Sequence, residues 1–366
     1  MASIKFDNST YTLDALEKKY RNFFAPAFDI EVDGQSFNLK NIAVSSLKVE
    51  STTEAKADSF QFRVDNAYDA VARHFKWVGP LIDVGKSITI TMGYTDKLEM
   101  VFDGIITEVS AEYPSSGIPY VEVKGMDRSF LMMRSTKSNL WLQKKVSDVV
   151  KEIGGKYGLQ LQVDDTMTPK PTIEQMGDSD FIFLKKLAEE NNHEFFVIGK
   201  KLYFRKPNPS ASPMITLMYG KNLNSYSVTV DISKQVSAFV VRGVDPKTRV
   251  PFQAKSQTVN KVGRNGRTGK DIMATLPGDL VETVYSNVTT QAEAQTLANA
   301  MLNERAMEMV DGDGECLGIP EMRAGRQINL QGLGPKFDQP LVLSSVKHVI
   351  NDQGYVTQFS AEGNAF

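Results

Sequence analysis

The sequence has very few of the side chains that build disulfides and metal sites. Among its 366 residues there are one cysteine, Cys316, and three histidines. A single cysteine excludes an intrachain disulfide, and we expect Cys316 to be a small buried apolar residue rather than a reactive thiol. His74, His193 and His348 stand far apart in the sequence, so none has a partner at the i, i+4 spacing of a helical metal site. We therefore predict no metal site.

An excess of charge of one sign is also missing, because 42 Lys and Arg residues stand against 44 Asp and Glu residues. Proteins that bind nucleic acid through its phosphates normally have a clear basic excess, so we expect no specific nucleic-acid binding. No apolar run approaches the roughly 20 residues that cross a bilayer, and the N-terminus lacks the regions of a secretory signal. These absences predict no membrane insertion by this chain and synthesis in the cytosol.

Stretches that resemble known catalytic or ligand sites match them only in part. Gly263–Asp271 resembles a phosphate loop, but five residues separate its outer glycines where four are needed, and Asp follows its Lys. Asp311–Cys316 resembles a calcium loop, but Cys316 stands at the sixth position, where that loop needs Gly, and no Glu stands at its twelfth. No G-x-S-x-G nucleophile elbow occurs. We predict no catalytic residue and no cofactor, although a glycosidase-like carboxylate pair stays open because it depends on distances in space.

The period of the apolar residues divides the chain into parts. Alternation with period two over residues 26–135 and 213–366, with turn signals between short runs, predicts two similar small β-barrel domains. Helical periodicity between them predicts an α+β middle domain over residues 136–212, so the fold class is mainly β with an α+β insertion. The second barrel is expected to contain an inserted polar loop and helix over about 245–312. Residues 1–25 are predicted to form a helical arm that packs on its own domain or reaches a neighbour.

The acidic segment after Gly177 has two interpretations, a catalytic or metal cluster and a scaffold helix. Ser179 stands at an N-cap position, and Asp180 falls in the first turn, where a carboxylate suits the helix dipole. The apolar residues at helical spacing are Phe181, Leu184, Leu187 and Ala188. Glu189 and Glu190 then fall at the exposed end of the helix, with His193 just after it. The scaffold interpretation is favoured, because no second ligand stands at metal-site spacing.

Two distant parts of the sequence resemble each other. The matching segments occur in the same order: Gly85–Ile90 with Gly325–Leu330, Phe102–Gly104 with Phe337–Gln339, and Val109–Gly117 with Val346–Gly354. Such a repeat favours two related units in one chain, so residues 85–125 and 325–363 are expected to form equivalent strands.

A polar segment of the second barrel is unusually basic. It contains Lys261, Arg264, Arg267 and Lys270, with glycines between them. Surface charges are usually only solvated, and this is the favoured interpretation. The alternative is a contact loop that becomes ordered against an acidic surface of a partner.

The parts of the chain follow one another in the order of a barrel, "QMGDSDFIFLKKLAEENNHEFFVIGKKLYF", a second barrel and "VKHVINDQGYVTQF". In the order of these parts the chain resembles the phage late control protein D family over roughly residues 25–366. These are baseplate hub proteins, similar to the central hub of T-even phages and to the front portion of type VI secretion spike proteins. The residues that carry the resemblance are Asp180, Phe181, Leu184 and Leu187 in the first motif. In the second motif, the tail "AGRQINL…FDQP…VKHVI…GYVTQF", they are Gly325, Ile328 and Gly354.

The resemblance implies a structural protein, not an enzyme. It implies a homotrimer whose six barrels form a ring that joins a hexameric tail tube to a trimeric spike. The implied partners are the chain itself, a tail tube or tube-initiator protein, a spike or needle protein, other baseplate proteins and a tape measure protein. The implied location is the host bacterial cytoplasm during assembly and then the baseplate of a phage tail or extracellular injection particle. Because the sequence stops at Phe366, directly after the second barrel, the spike is expected on a separate chain.

Two other classes of function compete with this one. A baseplate-associated peptidoglycan hydrolase would need a nucleophile or metal motif, which the sequence lacks. A carbohydrate- or receptor-binding β module would need exposed aromatic clusters. Trp77 and Trp141 are isolated in the sequence, and we expect them to be packed, since each can bury a large apolar area.

Overall fold

The computed structural model describes residues 4–208, 211–262, 266–278 and 280–366. Strands β1 to β12 are Pro26–Val32, Gln35–Ser36, Val44–Thr52, Ser59–Val64, Tyr68–Asp69, His74–Phe75, Ser87–Tyr94, Lys97–Glu112, Tyr120–Asp127, Thr136–Lys144, Gln160–Val163 and Lys170–Ser179. Strands β13 to β23 are Glu194–Ile198, Lys201–Arg205, Thr216–Met218, Leu223–Val230, Ala238–Val244, Pro251–Lys255, Val281–Tyr285, Val310–Leu317, Gln327–Gln331, Pro340–Asn351 and Gly354–Gly363. Helices α1 to α5 are Leu13–Lys19, Val146–Gly155, Asp180–Glu190, Gly269–Met273 and Gln291–Met307.

Most of the strands belong to one large sheet. Thirteen strands join in the order β16-β20-β23-β22-β3-β4-β9-β8-β7-β1-β2, with β21 beside β22 and β15 beside β21. Alternation places one side of each strand in the core: in β4, Phe60, Phe62 and Val64 are buried and the residues between them are not. The predicted fold class, mainly β with a helix-containing unit between two groups of strands, is confirmed.

The large sheet contains the same strand order twice. In the first repeat the order is β1-β7-β8-β9-β4-β3, and in the second repeat it is β15-β21-β22-β23-β20-β16. A bulge interrupts the β8–β9 pairing between Ile106 and Glu108, and another interrupts the β22–β23 pairing between Leu343 and Ser345. The bulges occupy matching places, which supports one ancestral unit for both repeats. The repeats differ at one edge, because β1 is antiparallel to β7 whereas β15 is parallel to β21.

The matched glycines of the sequence hold equivalent positions. The Gly85 N–H donates to the Ile106 carbonyl, and the Gly325 N–H donates to the Leu343 carbonyl, both at 2.8 Å. Both glycines have a positive φ, 84° and 80°, a conformation that glycine adopts without strain. The predicted equivalence of these two segments is therefore confirmed.

One of the three sequence matches is wrong. Phe102 lies in β8, opposite Ile90 of β7. The corresponding position of the second repeat is Gln339, whose carbonyl accepts from the Leu330 N–H of β21 at 3.0 Å. Phe337 lies in the turn before β22. The two connecting turns differ in length, so an alignment by residue type slips within them.

Strands β3 and β22 join the two repeats edge to edge. They pair antiparallel, with His348 opposite Val49. The apolar core is likewise continuous, and one cluster contains buried residues of both repeats, such as Phe62 and Leu330. Sequence analysis predicted two barrels with the middle domain between them, and did not predict that they share a sheet and a core. Period-two alternation indicates which face of a strand is buried but not which edge another strand meets.

The helix-containing unit between the repeats has its own core. It consists of the β10–β12 pair, the three-stranded sheet β11-β14-β13 and helices α2 and α3. Trp141 stacks on Phe183 with ring centroids 5.6 Å apart, in a cluster separate from that of the large sheet. Trp77 packs against the core of the large sheet. Both tryptophans are packed, as predicted.

A small third region lies within the second repeat. Ala238–Val244, predicted as a barrel strand, instead forms β17 of a separate sheet in the order β18-β17-β19. Helix α5 covers this sheet and buries Val241, Ala254 and Ala298 in a common cluster. The segment predicted as a polar loop therefore contains two strands and α4. Its short strands have few apolar residues, which weakens the sequence signal.

The N-terminal helix packs on its own chain. The Thr12 hydroxyl caps α1, and the helix ends at Lys19 because Arg21 begins a left-handed turn, so it covers only part of the predicted arm over residues 1–25. The Lys19 ammonium lies 2.6 Å from a carboxylate oxygen of Glu99 in the first repeat and 2.6 Å from one of Glu321 in the second. Helix α1 thus connects the two repeats.

The starts of α2 and α5 are capped in different ways. Ser147 lies inside α2, and Lys145 at the N-cap makes no side-chain cap bond. Thr290 does cap α5, but the Glu293 carboxylate accepts from the Thr289 N–H at 2.8 Å instead of completing a capping box. Among the described residues, no helix has both the length and the apolar character needed to cross a membrane.

Candidate functional site

The first motif of the resemblance forms helix α3. At its start the Ser179 hydroxyl accepts from the Ile182 N–H at 3.3 Å, as predicted for an N-cap. The apolar stripe is buried: Phe181, Leu184, Leu187 and Ala188. Glu189 and Glu190 are exposed, again as predicted. This arrangement supports the scaffold interpretation of the segment.

Asp180 is a buried polar centre of the middle unit. Its carboxylate accepts from the Lys137 ammonium, from the Tyr157 hydroxyl at 2.6 Å and from the Gln175 amide at 3.0 Å. Burial acts to raise the pKa of Asp180, but these hydrogen bonds outweigh it and hold the pKa below its ordinary value. The ionised carboxylate therefore ties α3 to β10, to β12 and to the end of α2.

His193 lies at the edge of a cleft between α3 and α5. Its Nδ1 hydrogen-bonds the Asn191 carbonyl at 2.7 Å, and its ring stacks on Phe204 with centroids 4.9 Å apart. Burial lowers the pKa of His193. The cleft has a volume of about 1080 Å³ and is also lined by Lys185 and Glu189. Within the described ranges no group of three or more His, Cys, Asp or Glu side chains is placed to hold a metal ion.

The second motif of the resemblance lies beside the joint between β3 and β22. Ile328 is fully buried in β21; Gly325 takes a positive φ in the turn before β21, and Gly354 takes one at the first position of β23. Helix α3 also contacts this region, because the Lys185 ammonium donates to the Thr53 carbonyl at 3.3 Å. The two motifs are not in one site, but both border the joint.

A buried charged cluster, formed by Asp58, Asp127 and Arg323, holds this joint together. Arg323 is 7% exposed, and its guanidinium contacts the Asp58 carboxylate and donates to the Val101 carbonyl at 3.1 Å. The Asp127 carboxylate accepts from the Ser129 N–H at 3.0 Å. Burial raises the pKa of both aspartates; Arg323 opposes the shift at Asp58, and the charge of Asp58 adds to it at Asp127. Because Arg323 belongs to the second repeat and both aspartates to the first, the cluster fixes one repeat against the other.

His348 lies on β22 at the same joint. It is 4% exposed, with Nε2 3.0 Å from the Met322 carbonyl and Nδ1 2.9 Å from the Tyr355 hydroxyl. Burial lowers the pKa of His348 to about 4. The imidazole is therefore neutral near pH 7 and serves as a polar part of the core.

Sequence reasoning missed the charged cluster and treated His348 only as a distant histidine. A signal for His348 was present, because it stands between Val346 and Ile350 at a position where period-two alternation expects an apolar side chain. A polar residue at such a position is buried with partners. No comparable signal marks Asp58 or Arg323, since each lies outside a strand and its partners are distant in sequence.

The basic loop contacts its own chain. Each described cation donates to a nearby backbone carbonyl: Lys261 to Gly266, Arg267 to Asp271 and Lys270 to Gln257. The Arg267 N–H also donates to the Phe366 carbonyl at 2.9 Å. Arg264 lies outside the described residues. A partner contact through this loop stays a prediction.

Comparisons with known proteins give the fold and a family. Residues 26–352 match the family model described as the Alg8 N-terminal domain. No curated protein matches the chain. The 43 kDa tail protein of prophage MuSo2 from Shewanella oneidensis is 12% identical with a TM-score of 0.70, over 92% of this chain and 98% of that one.

Two further solved structures are similar. A tail protein from Neisseria meningitidis is 14% identical with a TM-score of 0.68, over 93% of this chain and 97% of that one. An Escherichia coli component of the type VI secretion system, itself similar to T4 bacteriophage tail proteins, is 13% identical with a TM-score of 0.57, over 92% of this chain and 77% of that one. At these identities the likeness concerns the fold. By the extent of the family match, the chain belongs to the Alg8 N-terminal domain family, and it shares its fold with these tail proteins.

Proposed function

We propose that the protein is the structural hub of a baseplate, a trimeric adapter with pseudo-sixfold symmetry that joins a hexameric tail tube to a trimeric spike. The observation that carries the proposal is the doubled strand order within one chain. A ring of three identical chains offers three equivalent positions, whereas three chains with two related repeats each offer six. The likeness in fold to phage tail proteins supports the same role.

Each part of the chain has a place in this proposal. The first barrel-like domain, residues 26–135, and the second, residues 213–366, form the ring. The middle domain, residues 136–212, and the insertion at about 245–312 lie on its outside or toward the spike. The N-terminal arm, residues 1–25, stabilises the contact between the repeats. The motif residues of α3 and of the tail are structural in this assignment.

The partners follow from the same role. They are two further copies of the chain, a tail tube or tube-initiator protein, a spike or needle protein, other baseplate proteins and a tape measure protein. The protein assembles in the host bacterial cytoplasm and then resides in the baseplate of a phage tail or injection particle.

We assign no enzymatic role to the chain. The buried polar groups that sequence reasoning missed, Asp58, Arg323 and His348, are occupied by contacts within the protein. A zymogram with the purified full chain tests the competing class, a peptidoglycan hydrolase. Clearing of peptidoglycan by this chain would contradict the assignment.

Reconstruction of the native particle tests the hub directly. Three copies of the chain are expected on the particle axis, between a hexameric tube ring and a trimeric spike, around a central channel. Six copies, or a single copy away from the axis, would overturn the proposal.

A further inference from the structure

Two edges of the large sheet have no strand beside them in the described residues. β16 is the first strand in the sheet order, with β20 on its inner side. β8 pairs with β7 only as far as Ile105, the Ile106 N–H then donates to the Lys86 carbonyl, and residues 107–112 pair with β9 alone. Such edges present backbone N–H and C=O groups that can pair with another strand.

The counterparts of these two edges in the other repeat pair with each other. The repeated order makes β16 equivalent to β3 and β8 equivalent to β22. β3 and β22 pair antiparallel over six residue pairs, from Ser345 opposite Thr52 to Ile350 opposite Leu47. The chain therefore contains one completed joint between repeats and the two unpaired edges of a second.

Burial in β3 and β16 differs as expected for a paired and an unpaired strand. Leu47 and Val49 of β3 are buried. Their counterparts Tyr226 and Val228 of β16 face the same core but are only half-buried. Apolar side chains on the inward face of β16 thus lack the cover that β22 gives to β3.

The same difference separates β22 from β8. Ile350 of β22 is 6% exposed, whereas its counterpart Tyr113, directly after β8, is 64% exposed. His348 is buried, whereas its counterpart Ala111 is exposed. The end of β8 is therefore an apolar and aromatic edge without cover, and Tyr113 already packs against Tyr68 there, with ring centroids 5.9 Å apart.

We propose that β16 of one molecule of this chain pairs antiparallel with β8 of a second molecule, in the register of the β3–β22 joint. Transferred residue by residue, that register places Val109 opposite Val230 and Ser110 opposite Thr229. The proposal rests on the proposed hub, which brings molecules of the chain together, and it names the surface at which they meet. The contact is head-to-tail, so it closes into a ring when the rotation allows.

The backbone of β16 is oriented for this pairing. The Asp231 N–H donates to the Met309 carbonyl of the inner neighbour at 2.9 Å. Backbone groups of alternate residues point to opposite edges of an antiparallel strand, so Val230 and Val228 direct theirs outward. At the end of the register Asp231 meets Glu108, whose carboxylate is 2.9 Å from the Lys124 ammonium, so that end is partly neutralised.

A disulfide between the two edges tests the register. Ser110 and Thr229 form a non-hydrogen-bonded pair in it, with Cα atoms about 4.5 Å apart, within the range that a disulfide bridges. The variant carrying Ser110→Cys and Thr229→Cys is oxidised with oxidised glutathione at high protein concentration. We expect loss of the monomer and a covalent trimer on a non-reducing gel. Cys316 is buried, and burial raises its pKa, so it does not compete.

The matched control carries Ser110→Cys and Ser225→Cys. Ser225 lies four residues from Thr229 on the same strand, about 13 Å away, which is too far for a disulfide in the proposed register. We expect this variant to stay monomeric on the gel. Equal crosslinking of the two variants, or none in either, would overturn the proposed pairing.

The outcomes separate this pairing from the hub proposal. If the wild type sediments as a trimer and the test pair does not crosslink, the pairing is wrong and the hub is not affected. If the test pair crosslinks into a ladder beyond three chains, the pairing holds and the trimeric hub is wrong.

A proline substitution gives an independent test. Proline lacks the backbone N–H and is tolerated at an edge position whose N–H faces away from the neighbouring strand, so Val228→Pro retains the pairing of β16 with β20. We expect an unchanged circular dichroism spectrum and loss of trimer in sedimentation. A Val228→Pro protein that associates as the wild type does would contradict the pairing.

Discussion

The two repeats have the same strand pairing but exchange large and small side chains across it. In the first repeat Phe62 of β4 stands opposite Val123 of β9, and in the second Gly314 of β20 stands opposite Phe359 of β23. The phenylalanine ring is thus on β4 in the first repeat but on β23, the counterpart of β9, in the second. There the Phe359 ring lies over Gly314, which occupies the position of Phe62. A core tolerates such exchanges when volume and pattern are kept, so the repeats diverge in sequence while the register persists.

A second position shows that the exchange is not complete. Phe60 faces Gly125 in the first repeat, and the corresponding residues of the second are Gly312 and Ala361. The Phe60 ring covers Gly125, and an added Cβ there would lie 2.4 Å from it. The first repeat is therefore tightly packed at this point, whereas the second accommodates a methyl group.

The largest effect is expected where the repeats depend on each other. Arg323→Ala leaves Asp58 buried without its cation, and breaking a buried pair in this way costs about 3–5 kcal/mol of unfolding free energy. Urea denaturation of the purified chain measures it. Lys144→Ala removes the cation of an exposed pair with Glu152 and should change the free energy by about 0–1 kcal/mol. Equal effects of the two substitutions would show that the joint does not depend on the cluster.

The buried His348 should make the stability of the protein depend on pH. The first repeat has Ala111 at the equivalent position and contributes no such dependence there. The folded pKa of His348 is about 4, below the ordinary 6.5. Between these values the unfolded chain binds a proton that the folded chain does not, so stability falls as the pH falls from 6.5 to 4, by about 3 kcal/mol.

His348→Gln should remove this dependence, whereas substitution of the exposed His74 by Gln should retain it. Asp127 acts in the opposite direction, because its raised pKa favours the folded state at low pH. Denaturation curves at several pH values measure the unfolding free energies of the three proteins, and the quantity to compare is therefore the difference between each variant and the wild type. If the unfolding free energies of wild type and His348→Gln changed equally with pH, the titration assigned to His348 would be wrong.

The packing difference between the repeats predicts unequal effects at one matched position. Gly125→Ala forces a methyl group against the Phe60 ring and the Ile105 carbonyl, and overpacking of this kind costs about 1–3 kcal/mol. Ala361→Gly in the second repeat removes a methyl group and should cost about 0.5–1 kcal/mol. Thermal denaturation of both variants measures the two losses of stability. A larger loss for Ala361→Gly would reverse the comparison.

The smallest effect is expected in the basic loop, which has no counterpart in the first repeat. Replacing Lys261, Arg264, Arg267 and Lys270 by glutamine should change the unfolding free energy by only about 0.5 kcal/mol per site, as for surface positions. If the loop contacts an acidic partner, baseplate assembly should weaken and lose part of its salt dependence. Unchanged assembly at low and high salt would leave only a solvated loop.

Much of this architecture could be predicted from local sequence. The N-cap at Ser179 and the buried stripe of Phe181, Leu184 and Leu187 each depend on neighbouring residues, and each was predicted correctly. The joint between β3 and β22 could not be, since edge pairing between distant strands leaves no periodic signal. The Asp58–Arg323 contact was missed for the same reason.

The joint between the repeats also determines when the protein can finish folding. The Thr52 hydroxyl contacts the Ser344 carbonyl across the joint, and the two residues are 292 positions apart in the chain. During synthesis β3 is therefore complete long before the ribosome releases β22, and contacts of such separation slow folding. While β3 is still unpaired, the charges of Lys48 and Glu50 along it discourage pairing with other nascent chains. Newly made subunits should thus become competent for assembly only after β22 has been synthesised.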